Sequence, residues 1–210
     1  MLKVFIADDH AVVRRGLKQI LAETFDMTVA GEATHGQEVL DKVQKDDYDV
    51  VVLDISMPGQ SGLDTLKQLK IQKPGLPVLV LSIHPEDQYA VRVLRAGASG
   101  YITKESAPDE LVAAIRKVSQ GRKYITSSLA EKLAFDLDVD TEKPLHEILS
   151  DREYQVLCMI SSGKTVTGIA EALCLSVKTI STYRSRILEK MGMKSNAELT
   201  RYAIRNGLVD

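Results

Sequence analysis

Val50-Val51-Val52-Leu53 is an apolar run with no polar alternate, and a strand of that kind needs cover on both faces, as in a parallel sheet enclosed between helices. Four further short runs, residues 3–7, 28–33, 78–81 and 100–103, read as strands. Between and after them apolar residues recur at helical spacing: Val13, Leu17, Ile20 and Leu21; Val39, Leu40 and Val43; Leu63, Leu66 and Leu69; Leu111, Val112, Ile115 and Val118. Five strand–helix units with right-handed crossovers make a doubly wound α/β domain. The fourth helix, around 86–95, is the least defined, because Ala90, Val91, Val93 and Leu94 do not settle on one stripe. A short or mobile element is expected there.

Beyond Gly121 the pattern changes. A short helical stretch at 127–135 runs into Asp136-Leu137-Asp138-Val139-Asp140-Thr141-Glu142-Lys143-Pro144, an acidic segment that stops at a proline and reads as a linker. From Leu149 onward only helices are expected, at 151–161, 166–173, 177–191 and 195–206. Capping boxes open two of them, Ser150-x-x-Glu153 and Ser195-x-x-Glu198, and Ser176 is placed to cap a third. The expected domains are therefore 1–122, a linker with a short helix at 123–148, and 149–210. The total charge of −2 divides among them as −2, −3 and +3, which directs any contact with nucleic acid to the last. No apolar run approaches the ~18 residues of a membrane span, and MLKVFIADDH carries no basic leader, so no membrane association and a cytoplasmic location are expected. Cys158 and Cys174 lie far apart with no nearby histidine pair, and both read as small buried residues rather than a disulfide or zinc site.

In open α/β sheets the reactive crevice lies past the carboxyl ends of the strands, where strand order reverses. Asp8 and Asp9 follow the first strand and Asp54 follows the third, so in the order 2-1-3-4-5 they face one another across that crevice. Three crowded carboxylates repel unless a cation joins them, and an oxygen-rich site of this kind suits Mg²⁺. Lys104, just past the fifth strand, adds positive charge, and Ser82, at the end of the fourth, adds a hydroxyl. With Mg²⁺ and Lys104 offsetting the three acids, one aspartate can serve as nucleophile toward a phosphoryl group. On the fifth strand Tyr101 and Ile102 point to opposite faces, and at a sheet edge one of them is expected to be only partly covered. Tyr101 is the candidate switch.

These residues carry a resemblance. Ala7-Asp8-Asp9-His10, Val52-Leu53-Asp54-Ile55-Ser56-Met57-Pro58, Gly62, Leu81-Ser82, Ala96-Gly97-Ala98 and Tyr101-Ile102-Thr103-Lys104 resemble the receiver domain of bacterial two-component response regulators, over about residues 1–120. The resemblance implies a flavodoxin-like fold. It also implies that Asp54 accepts phosphate from a sensor histidine kinase, that Asp8, Asp9 and Asp54 hold Mg²⁺, and that Lys104 binds the phosphoryl group. Ser82 and Tyr101 would be the pair that rearranges. Glu105 departs from the family, where proline is common after the lysine.

In the last domain, 166–173, a tight Cys174-Leu175-Ser176 turn and 177–191 form a helix-turn-helix, which sets its second helix in the major groove. Val177, Ile180, Tyr183, Ile187 and Met191 form that helix's core stripe, and Lys178, Ser181, Thr182 and Ser185 lie opposite with Arg186 to one side. Short hydroxyls there reach base edges while Lys178 and Arg186 reach phosphates or guanine. Arg184, nearer the core stripe, is expected to form an ion pair or pack along its stem. Leu149-Ser150-Asp151-Arg152-Glu153, Gly163-Lys164, Ile169-Ala170, Leu175-Ser176-Val177-Lys178-Thr179-Ile180 and Lys190-Met191-Gly192 look like the four-helix DNA-binding domain of the LuxR type, and the whole chain resembles the NarL/FixJ subfamily. Val166, Gly168 and Tyr183 are departures, at positions where polar residues or histidine are more usual. A charge of +3 is modest for a DNA binder, so a homodimer formed on phosphorylation and an operator of two half-sites are expected, with Leu199, Tyr202 and Ala203 on the last helix either at the dimer contact or packed on their own domain. The competing readings are a DNA-binding regulator independent of phosphorylation and a Mg²⁺-dependent phosphatase with an aspartate nucleophile. Ser56 stands against the second, since such enzymes place an acid two residues after the nucleophile.

Overall fold

The structure, a computed structural model, describes residues 1–57, 61–126, 129–131 and 144–209, apart from the side chains of 87 and 88. The chain divides into two compact units, Met1–Phe135 and Asp136–Asp210. In the first, β1 (Leu2–Ala7), β2 (Met27–Ala33), β3 (Val50–Asp54), β4 (Val78–Ser82) and β5 (Gly100–Thr103) form one sheet in the order β2-β1-β3-β4-β5, parallel throughout. Helices α1 (Ala11–Ala22), α2 (Gly36–Lys45), α3 (Gly62–Gln72), α4 (Glu86–Arg95) and α5 (Ala107–Ser119) alternate with the strands.

Every residue of β3 and β4 is buried, as their unbroken apolar runs require. Both strands extend one residue further than expected: Asp54 pairs with Leu81 and Ser82 with Thr103, so each polar side chain is held by the sheet itself. Gly62 has a steric reason to be glycine. A Cβ there would stand 2.3 Å from the Ile55 Cα and 2.6 Å from the Asp54 carbonyl oxygen, so α3 starts directly against the backbone that follows Asp54.

Helix α4 is a full ten-residue helix rather than a fragment. Its stripe is Tyr89, Ala90 and Val93, all buried, and counting only aliphatic residues had hidden it. Tyr101 and Ile102 are both covered, contrary to the edge-strand expectation. Ile102 joins the core with Leu111 and Ile115 of α5, and the far edge of β5 is paired with Tyr124, whose N–H donates to Ser99 O. The expected helix at 127–135 is helical at 129–131 and otherwise lies outside the described residues, as does the acidic run up to 143.

The second unit contains a 3₁₀ turn (Leu145–Ile148) and four helices, α6 (Asp151–Ser161), α7 (Val166–Ala172), α8 (Val177–Met191) and α9 (Asn196–Arg205). Ser150 and Glu153 form the reciprocal capping box. At α9 the box is displaced: Ser195 accepts from Glu198 N–H, but Glu198 Oε2 accepts from Lys194 N–H, one residue earlier than expected. Leu199 and Ala203 are buried within their own unit, while Tyr202 is half-buried with its hydroxyl at His146. Cys158 is buried but Cys174 is exposed, because its backbone makes the turn after α7. With φ at 52°, Cys174 donates its N–H to Glu171 O and Leu175 donates to Ala170 O, closing the helix in a Schellman motif where glycine is usual.

Candidate phosphoacceptor pocket and DNA-reading helix

Asp8, immediately past β1, and Asp54, ending β3, are fully buried side by side at the carboxyl edge of the sheet. Lys104 Nζ stands 2.7 Å from Asp8 Oδ2 and 2.7 Å from Asp54 Oδ2. The second oxygen of each acid accepts from the backbone two residues on, Asp8 Oδ1 from His10 N–H and Asp54 Oδ1 from Ser56 N–H, both at 2.7 Å. Each loop after its strand is thus an Asx turn that fixes a carboxylate in place. Arg14 adds a further tie, donating from Nη1 to Asp8 O at 2.7 Å. Asp9 lies at the rim beside His10, whose Nδ1 is 2.9 Å from Asp9 Oδ1.

The electrostatics leave a surplus of negative charge. Burial raises the Asp54 carboxyl above its ordinary range, and the Asp8 charge adds to this, against the lowering effect of Lys104 and the Ser56 N–H. Burial also opposes the charge on Lys104, but Asp54 and Asp8 together outweigh it and raise the ammonium pKa. One ammonium does not balance three aspartates. Oxygens of Asp8, Asp9 and Asp54 and a nitrogen of His10 all lie within 4.8 Å of one another. Opposite ligands of an octahedral Mg²⁺ are about 4.2 Å apart, so the donor set fits a divalent cation.

Ser82 and Tyr101 meet through a residue that the sequence pattern did not mark. Ser82 Oγ accepts from His84 N–H at 3.0 Å, and the Tyr101 hydroxyl donates to His84 O at 2.7 Å. The His84 ring stacks on Tyr89 of α4, with centroids 4.5 Å apart. One residue therefore links the hydroxyl at the pocket, the buried tyrosine and the fourth helix. Ser56 was legible in the sequence only as a residue flanking Asp54, and His10 only as the residue after two acids at a strand end; Arg14 and His84 were missed.

In the second unit, Lys178, Ser181, Thr182, Ser185 and Arg186 are all exposed on α8, and Ile180, Ile187 and Met191 are buried behind them. Val177, assigned to the core stripe, is instead 48% exposed, at the first residue of α8. The Thr182 hydroxyl donates back to Lys178 O at 2.9 Å. Arg184 forms no ion pair among the described residues; its Nε donates to Asn196 Oδ1 at 2.6 Å and joins α8 to α9. Lys190 meets the buried Glu153 carboxylate at 2.7 Å, tying α8 to α6.

Comparison with known proteins assigns both units. The response regulator receiver domain family matches residues 4–116, just over half of the chain, and the luxR family of bacterial regulatory proteins matches residues 147–203. The response regulator GacA of Pseudomonas syringae pv. syringae (strain B728a) is 39% identical over 211 residues, covering 100% of this chain and 99% of GacA. The response regulator UvrY of Escherichia coli (strain K12) is 38% identical over 210 residues, covering 99% of this chain and 96% of UvrY. Among solved structures, one of two RcsB dimers bound to two parallel DNAs matches with a TM-score of 0.59 and 29% identity, over 97% of this chain and 98% of that one.

Proposed function

Since the chain belongs to the NarL/FixJ response regulators, transcription regulators of two-component systems with a receiver domain and a LuxR-type DNA-binding domain, we propose that Asp54 is its phosphoacceptor and that the phosphorylated chain binds DNA as a homodimer. The observation that carries this is the Lys104 ammonium held at 2.7 Å from both Asp54 and Asp8 at the edge of the sheet. An Asp54 oxygen attacks the phosphorus of a phosphohistidine on a sensor kinase; the P–N bond breaks and its electron pair returns to the imidazole. Asp8, Asp9 and Asp54 are the residues that would hold Mg²⁺, which when bound neutralises oxygens of the transferring group. Lys104 follows the new charge onto the phosphoryl oxygens. Ser82 turns its hydroxyl from His84 N–H toward the same oxygens, and the released His84 peptide shifts the carbonyl that holds Tyr101. The loop before α4 thereby reports the state of the pocket.

On α8, Lys178 and Arg186 are assigned to phosphates or guanine, and Ser181, Thr182 and Ser185 to base edges. A dimer places two such helices in successive major grooves of an operator with two half-sites. RcsB dimers bound to DNA support that arrangement. The receiver is taken as 1–122, the linker as 123–148 and the DNA-binding domain as 149–210, in a cytoplasmic protein. Among the described residues no helix is long and apolar enough to cross a membrane.

The test is labelling with a radioactive phosphoryl donor and Mg²⁺. Wild type takes up label that hydroxylamine removes, as an acyl phosphate does, and Asp54→Asn takes up none. Label that resists hydroxylamine, or persists in the variant, overturns the assignment.

A further inference from the structure

Two helices of the first unit start at a histidine, and the two rings are used differently. His35, the N-cap of α2, accepts the Glu38 N–H on its Nδ1 at 3.2 Å. His10, the N-cap of α1, makes no side-chain cap at all. Its Nδ1 faces the acids instead, 2.9 Å from Asp9 Oδ1 and 3.3 Å from Asp8 Oδ1. The side chain is 62% exposed, so the ring can adjust to an ion without disturbing the core. With Asp8, Asp9 and Asp54 it completes a set of four donors within 4.8 Å of one another.

A ring nitrogen changes what such a pocket prefers. Carboxylates and water suit Mg²⁺, whereas imidazole adds affinity for ions further along the first transition series. We propose that His10 sets the metal preference of the pocket, offering Nδ1 as a ligand to Mn²⁺, Co²⁺ or Zn²⁺ while Mg²⁺ is held through oxygens. This rests on the assignment of Asp8, Asp9 and Asp54 as the metal-holding set. With the ion on Nδ1 the ring is a neutral imidazole that carries its one hydrogen on Nε2. A transition ion seated this way uses the carboxylates that Mg²⁺ needs, so the two compete for the pocket.

The experiment is calorimetric titration of the metal-free full chain with Mg²⁺ and with Co²⁺, in wild type and in His10→Ala, with the visible absorption of bound Co²⁺ followed in parallel. The ratio of Co²⁺ to Mg²⁺ affinity is expected to fall at least about tenfold in the variant, the scale on which metal-site partners act, and the Co²⁺ band to shift. An unchanged ratio overturns the proposal. His10→Asn, which restores a side chain able to cap α1, should show the same loss; recovery of the ratio in Asn would assign the effect to the cap and overturn it. If wild type binds Mg²⁺ but not Co²⁺, His10 is no ligand. If it binds neither, the metal-holding assignment fails and the proposal with it.

Discussion

The two units place their candidate functional residues in opposite settings. In the receiver, Asp8, Asp54, Ser82 and Tyr101 are buried and bound to Lys104 or to nearby backbone, so each is a structural group as well as a candidate functional one. On α8, Lys178, Ser181, Ser185 and Arg186 stand in solvent over a core that does not need them. Chemistry on a phosphoryl group needs charges fixed and desolvated in advance, whereas groove reading needs side chains free to meet an outside surface. Changes in the first unit should therefore move stability and function together, and changes on α8 should move function alone.

The largest expected effect is at Lys104. Lys104→Met leaves two buried carboxylates without their ammonium and should cost about 3 kcal/mol of receiver stability in urea unfolding; Mg²⁺ should restore part of it by binding the folded form. A variant as stable as wild type would break the contrast between the units. Next comes Lys178→Ala, expected to weaken DNA binding by about 1 kcal/mol across sequences and to lower the salt slope by about one, with thermal stability within about 0.5 kcal/mol of wild type. Gel shifts at several salt concentrations read the first effect and calorimetry the second. Cys174→Gly should stabilise the helical unit by about 0.7 kcal/mol, since glycine accepts the left-handed turn without the Cβ penalty. A loss of stability in thermal unfolding would mean that the Cys174 side chain supports the turn.

The smallest effect is at Glu153. Burial opposes its charge, but Lys190 and the Ser150 N–H and hydroxyl outweigh this and hold the carboxyl below its ordinary value of 4.5. Its contribution is therefore complete above about pH 4.5 and is lost as pH falls through the lower folded value. Glu153→Gln should flatten the acid side of the helical unit's stability profile; an unchanged acid limb would show that the Lys190 contact carries no stability.

Strand ends were the most legible feature of the sequence, because an apolar run that stops at an acid marks both the end of a parallel strand and the side of the crevice. That is how Asp8, Asp54 and Ser82 were singled out as candidates, with Ser56 flanking them. Arg14 and His84 were not, because they act through the Asp8 carbonyl and the His84 peptide, and no side-chain pattern records backbone partners. Helix α4 was read at its observed bounds, but its stripe was not resolved, because one third of it is the aromatic Tyr89. On α8 the period of 3.6 gave the buried and exposed faces, but not that the stripe stops short of Val177, since periodicity alone does not record where packing against a neighbour begins.

Coupling between the two units is read from the affinity of the chain for DNA. The full chain, titrated onto a duplex selected from random sequence by the chain itself, should bind at least about tenfold more tightly with Mg²⁺ and a small-molecule phosphoryl donor than without, and Asp54→Asn should show no gain. Equal affinity in all three conditions would contradict control by Asp54 and leave a DNA-binding regulator independent of phosphorylation.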